Sequence, residues 1–201
     1  GLTTYRVYLE TTSELDFVSA VYTDGASGTV SLTSSTSFYM NTFGGLTVND
    51  INPGLFSFFP ALEFDSHVTI GLESEAVGDE SSIIVTGVSA TEADWSDSFM
   101  AGGDLTIDGS NAMAGDGWSV PAGATNGYSG EDMRILLAQL TTDGELNGSL
   151  FVELTPAGAA EPESHQFSFS AELCGCTDES APNFEPGATL NDGSCIYPGC
   201  T

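Results

Sequence analysis

All four cysteines of this 201-residue chain lie between Cys174 and the C-terminal Thr201, interleaved with Asp, Asn and Gly. Those residue types can do two kinds of chemistry, sulfur cross-linking and coordination of a hard cation by oxygen. Four cysteines allow three pairings, and Cys174 and Cys176 are too close in the chain to join each other without strain. A Cys176–Cys195 bridge is the favoured pairing; it closes a loop worth about 3 kcal/mol in the chain-entropy model. Cys174 would then pair with Cys200, or Cys200 would serve a following unit. Cys-x-Cys spacing with no neighbouring His argues against zinc. Calcium takes six to eight oxygens; Asp178, Asn183, Asn191 and Asp192 offer side-chain oxygens, and Gly193 permits a sharp turn. The loop lacks the acidic ladder and closing Glu of an EF-hand, and a metal-free Asx-turn loop is the alternative. Gly175-Cys176-Thr177 recurs as Gly199-Cys200-Thr201, a repeat that predicts a piece of a longer array.

The stretch Cys176-Thr177-Asp178 … Ala181-Pro182-Asn183-Phe184 … Pro186 … Ala188 … Asn191-Asp192-Gly193-Ser194-Cys195 resembles a short cysteine repeat of very large secreted proteins of aquatic bacteria. That repeat has the form C-T-D-x-x-A-x-N-[YF]-x-P-x-A-x-x-[DN]-D-G-S-C. Many members carry a third cysteine where this chain has Pro182, which leaves the partner of Cys174 open. The resemblance implies a secreted or cell-surface protein of several units, calcium binding in the repeat, and a subunit of an extracellular filament.

Charge bounds the partners. The chain carries 29 acidic residues against two basic ones, Arg6 and Arg134, for a net charge of -27. Nucleic acids and anionic membranes bind through clustered Lys and Arg, so both are disfavoured. No apolar run is long enough to insert in a membrane. A calcium-rich or salty exterior would screen such a surface.

The elements that must present these groups read as short strands. Thr3–Glu10 alternates, with Tyr5, Val7 and Leu9 on one face. Phe17–Tyr22 and Thr29–Ser34 flank Asp24-Gly25, a hairpin signal. Ser37–Met40, Leu62–Leu72 and Ser82–Val88 read as further strands. Met133–Thr141 and Ser149–Leu154 bracket Asp143-Gly144 and Asn147-Gly148, a second hairpin signal. Asn147-Gly148-Ser149 also matches a glycosylation sequon, but a turn is the preferred reading. Gln166–Leu173 alternates as a closing strand. Ser129–Leu140 could be helical, though strand is favoured. The sum predicts an all-β fold, an antiparallel β-sandwich over residues 1–173, with a small disulfide-stapled, loop-rich tail over 174–201.

Two stretches break the alternation. Asn52–Ala61 packs Leu55, Phe56, Phe58 and Phe59 between prolines; these side chains either plug the sandwich or form an exposed contact patch. Ala101–Gly130 reads as a long loop, in which Asp104, Asp108, Asn111 and Asp116 could gather around a cation but fit flexible turns better. His67 and His165 stand in no catalytic phrase, and no nucleophile elbow, phosphate loop or zinc helix motif occurs, so no enzyme is expected. The functional expectation is a structural protomer, polymerising head-to-tail with itself. Tyr5, Val7, Leu9, Phe56, Phe58 and Phe59 are its candidate contacts, and the Thr3–Glu10 edge is open to strand addition. The alternative is a surface adhesion module that stacks glycans on Trp95, Trp118 and Tyr128, or a passive spacer.

Overall fold

The computed structural model of the protein describes residues 1–23, 28–89, 94–109, 115–171, 174–184, 188, 190–191 and 194–197. The order is β1 (Thr3–Glu10), β2 (Phe17–Thr23), β3 (Val30–Ser34), three 3-10 turns (Val48–Asp50, Pro53–Leu55, Pro60–Phe64), β4 (His67–Val68) and β5 (Ile84–Thr86). Then come α1 (Trp95–Met100), β6 (Leu105–Ile107), β7 (Asp116–Ser119), a 3-10 turn (Thr125–Gly127), β8 (Arg134–Thr142), β9 (Leu146–Thr155) and β10 (Glu163–Ala171). β11 (Cys174–Gly175) and β12 (Leu190–Asn191) form a parallel pair in the tail.

The main strands make an all-β antiparallel sandwich. A three-stranded sheet in the order β1-β8-β4 faces a seven-stranded sheet in which β9 is the hub. Both sheets feed one core: Leu9, Val68, Leu137 and Leu140 come from the first, and Val21, Leu32, Trp118, Leu150 and Val152 from the second. Alternation on half-buried strands dictates this arrangement, because period-two apolar residues must face a second layer.

Three expected hairpins or turns are corrected by the pairing. β2 and β3 both run antiparallel to β9, β2 against Val152–Thr155 and β3 against Leu146–Ser149. They therefore lie end to end along one side of β9 and do not pair as a hairpin; the expected Asp24-Gly25 turn lies outside the described residues. β8 and β9 belong to different sheets, so the turn at Asp143-Gly144 carries the chain across the core. Asn147-Gly148 sits inside β9, opposite Thr33 and Leu32 on one side and Ser170 and Phe169 on the other. A Cβ on Gly148 would collide with the Phe169 ring, so this glycine admits an aromatic neighbour and makes no turn.

The long loop expected over Ala101–Gly130 instead contains β6, β7 and a 3-10 turn. β7 is an interior strand between β5 and β2, with Trp118 at 1% exposure donating Nε1–H to the Thr69 carbonyl at 3.0 Å. Leu62–Leu72 yields only a two-residue strand, because the chain first coils through Pro60–Phe64 and then buries Asp65, Ser66 and His67. Ser37–Met40 contributes a single bridge, Phe38 to Thr142. The stretch Ser129–Leu140 gives strand β8 from Arg134 and no helix.

Candidate functional site

In the tail, Cys176 and Cys195 are joined with their Cα atoms 4.7 Å apart. Cys176 and Ala181 are buried, and neither belongs to the sandwich core. Asp178 Oδ1 accepts from the Ser180 backbone N–H at 2.8 Å and the Ser180 hydroxyl at 2.6 Å, an Asx turn. Its Oδ2 accepts from the Tyr197 hydroxyl at 2.6 Å. These bonds, the Ser180 and Tyr197 hydroxyls first, hold the carboxyl down at about 2. Asn183 bridges the two arms of the loop: its Nδ2 donates to the Ser194 carbonyl and its Oδ1 accepts from the Ile196 N–H, each at 2.8 Å. Asp178 and Asn183, expected as calcium ligands, are thus engaged by the protein's own donors and acceptors. Among the described residues no three His, Cys, Asp or Glu side chains converge as metal ligands would. Asp192 and Cys200 lie outside the described residues, as do the side chains of Cys174 and Asn191.

On the sandwich, β1 ends the three-stranded sheet, and β10 pairs only with β9. Between these two open edges lies a cleft of about 570 Å³. Tyr5, Val7 and Leu9 from β1 and Phe167 and Phe169 from β10 line it, over Leu137, Leu146 and Leu150, with Arg6 and Glu10 of β1 also on its lining. The β1–β8 register shifts between Val7 and Tyr8, skipping Leu137. Three of the expected contact residues therefore share one groove; the contribution of β10 was not anticipated.

The aromatic turns are built from the other edge. Asn52 Oδ1 caps Gly54 N–H at 2.7 Å, with Pro53 starting one 3-10 turn and Pro60 the next. Between them Phe58 is 77% exposed, Phe59 is exposed and Phe56 half-buried. The buried Asp65 carboxylate accepts from the backbone N–H groups of Asn41 and Gly45, which draws the 41–45 loop alongside. A Cβ on Gly44 would strike that carboxylate. The loop thereby places Phe43 on Phe59, with ring centroids 4.0 Å apart, and Phe64 is exposed nearby in sequence. The four divide between the two readings: Leu55 and Phe56 pack against the core beside the buried Ile51 and Leu62, and Phe58 and Phe59 are exposed.

Beneath these turns, burial pushes Asp65 up to about 6 against its backbone donors. Burial likewise pushes His67 down to about 4. His67 Nδ1 donates to the Asp65 carbonyl at 3.0 Å, and Nε2 is buried with no partner among the described residues. Gln139 Nε2 donates to the carbonyls of Glu63 and Asp65, both at 3.0 Å, and its Oε1 accepts from Arg6 Nε at 3.3 Å.

The remaining candidates are dispersed. Asp104 caps Ser34 N–H at 3.0 Å, and Asp116 is buried in β7, its carboxyl raised by desolvation and by Asp108; Asn111 lies outside the described residues. Trp118 is core, and Trp95 is half-buried with Nε1–H on the Thr86 carbonyl at 3.1 Å. Tyr128, 42% exposed and packed on Phe17, joins Tyr8 in a second cleft of about 580 Å³ rimmed by Glu73, Asp79, Glu80 and Asp132. Arg134 stands 4.5 Å over the Tyr8 ring there. No helix among the described residues is long and apolar enough to cross a membrane. Comparison with protein-family models, curated proteins and solved structures gives no match.

Proposed function

We propose that the protein is a structural protomer of an extracellular filament or surface fibre, joined through its β domain, with the disulfide tail as a rigid link to a following unit. The observation that carries this reading is the partition of charge. A chain with 29 acidic residues against two basic ones, most of them at the surface, repels its own copies. Yet the only charged residue from Gly25 to Leu62 is Asp50, and no carboxylate occurs from Gly1 to Leu9 or from Ser164 to Ala171. Those stretches supply the aromatic turns and most of both walls of the apolar cleft, where Glu10 is the one lining carboxylate and Arg6 the one lining cation among the described residues, so copies can meet there with little opposing charge. A structural disulfide suits an oxidising, extracellular setting. Cations, calcium among them, are assigned the task of neutralising the rest of the surface; the tail acids are the proposed place for calcium to bind.

Sedimentation velocity across a salt and calcium series tests this. Large species must grow in as the ionic strength rises. A monomer at every salt and calcium concentration removes the filament reading.

The second reading, a glycan-binding surface module, draws on the cleft at Tyr8 and Tyr128, where aromatic faces stand beside carboxylates that can accept sugar hydroxyls. A glycan array answers it, since binding must depend on Tyr128.

A further inference from the structure

Two features of this molecule are largely apolar and uncovered, and they lie on opposite edges of the three-stranded sheet. One is the cleft bounded by β1 and β10. The other is the aromatic turn Leu55–Phe59, which leads through Pro60–Phe64 into β4. Phe58 at its tip is the most exposed large apolar side chain among the described residues. We infer that the cleft of one copy receives the aromatic turn of a second copy, Phe58 entering between Val7 and Phe167. This rests on the filament reading and names the contact that makes it.

Charge selects a second copy as the occupant. Apart from Glu10, which lines the cleft together with Arg6, both surfaces lie in the carboxylate-free stretches, and pairing them brings few of the 29 acidic residues face to face. Size agrees as well: a cleft of about 570 Å³ is within the ~300–1,000 Å³ range of pockets that bury whole aromatic ligands. A turn also fits this site better than an added strand. The extra residue Leu137 lies in the neighbouring interior strand β8, and the twist it adds along β1 makes that edge a poorer template for strand addition. Because turn and cleft share no residue, every assembly of docked copies still offers one free turn at one end and one free cleft at the other. Such a heterologous contact propagates in a line instead of closing into a dimer.

The test uses two single variants at exposed positions, Phe58→Glu on the turn and Phe167→Asp on the cleft wall, under the salt and calcium conditions in which the wild-type protein assembles. Unchanged thermal melts show that both are folded, and Phe58→Leu serves as the conservative control that still assembles. Each charged variant alone is expected to stay monomeric, with association weakened by at least about tenfold. Mixed in equal amounts, they are expected to form heterodimers and stop, because each supplies the half the other lacks. Fibres from both charged variants would overturn this contact while leaving the filament reading intact. Monomers in the mixture would also overturn it. Fibres from Phe58→Glu alone would show that the cleft takes a different element, such as an added strand. A wild-type chain that never assembles would overturn the contact and the filament reading together.

Discussion

Asp65 and His67 stand two residues apart, and burial moves their proton affinities in opposite directions, Asp65 up to about 6 and His67 down to about 4. For Asp65 the folded pKa lies above the unfolded one, so its stabilisation is present below about pH 4 and is lost as pH rises through 6. For His67 the folded pKa lies below the unfolded one, so its stabilisation is present above about pH 6.5 and is lost as pH falls through 4. Around pH 5 the unfolded chain carries a charged His and a charged Asp, and the folded chain carries neither charge. The proton count is the same in both states, and the pair adds almost no pH slope. Denaturation as a function of pH, followed in single variants, exposes each half. Asp65→Asn should leave stability rising from pH 4 to 6.5, and His67→Gln should leave it falling from pH 4 to 6. Equal slopes in both variants would refute the pairing. In the tail, Asn183→Ala should free the Ser194–Ile196 arm, read as faster amide exchange at Ile196 with the sandwich unaffected.

At the scale of elements, the strands were legible where alternation was clean. β1 and the later part of β10 follow from period-two patterning, β8 was placed by the turn signal after it although it is buried on both faces, and the Cys176–Cys195 bridge follows from spacing. The misreadings share a cause, since turn-forming residues also serve close packing. Gly148, read as part of a turn, instead makes room for Phe169. Helix α1 was missed because it is only six residues long, yet its signal was in the chain: Asp94 and Asp97 form a capping box around its first turn. The aromatic turns were visible as a composition, but their exposure depends on Asp65 holding the 41–45 loop, which no local pattern reveals. Element junctions depend on such fixed points. Gly71 has φ +73°, and a Cβ there would drive into the Asn126 carbonyl oxygen. Gly71→Ala should therefore cost about 3 kcal/mol or more, measured by chemical denaturation; a cost below about 1 kcal/mol would show that the junction is soft. The tail behaves as its own element. Replacing Cys176 and Cys195 by Ser should leave the melt of the sandwich unchanged and make the tail the first site of proteolysis, the loss being about 3 kcal/mol in the chain-entropy model.

For the molecule as a whole, electrostatics sets the conditions under which copies can meet. The net charge was plain from composition, but the scarcity of carboxylates at one cleft and one turn became a surface property only when folding gathered residues 1–9 and 164–171 at the cleft, with Glu10 the carboxylate on its lining, and left residues 51–62 as the turns. With a screening length near 30 Å at about 0.01 M salt and near 8 Å at about 0.15 M, the acidic faces of adjoining copies should hold them apart in the first case and tolerate contact in the second. Divalent ions should lower the salt required. Electron microscopy of the purified chain, at low ionic strength with a chelator and then with calcium added, addresses this most directly. Dispersed particles that become fibres on adding calcium are the predicted result. Particles that stay dispersed in calcium and at physiological salt alike would contradict the account.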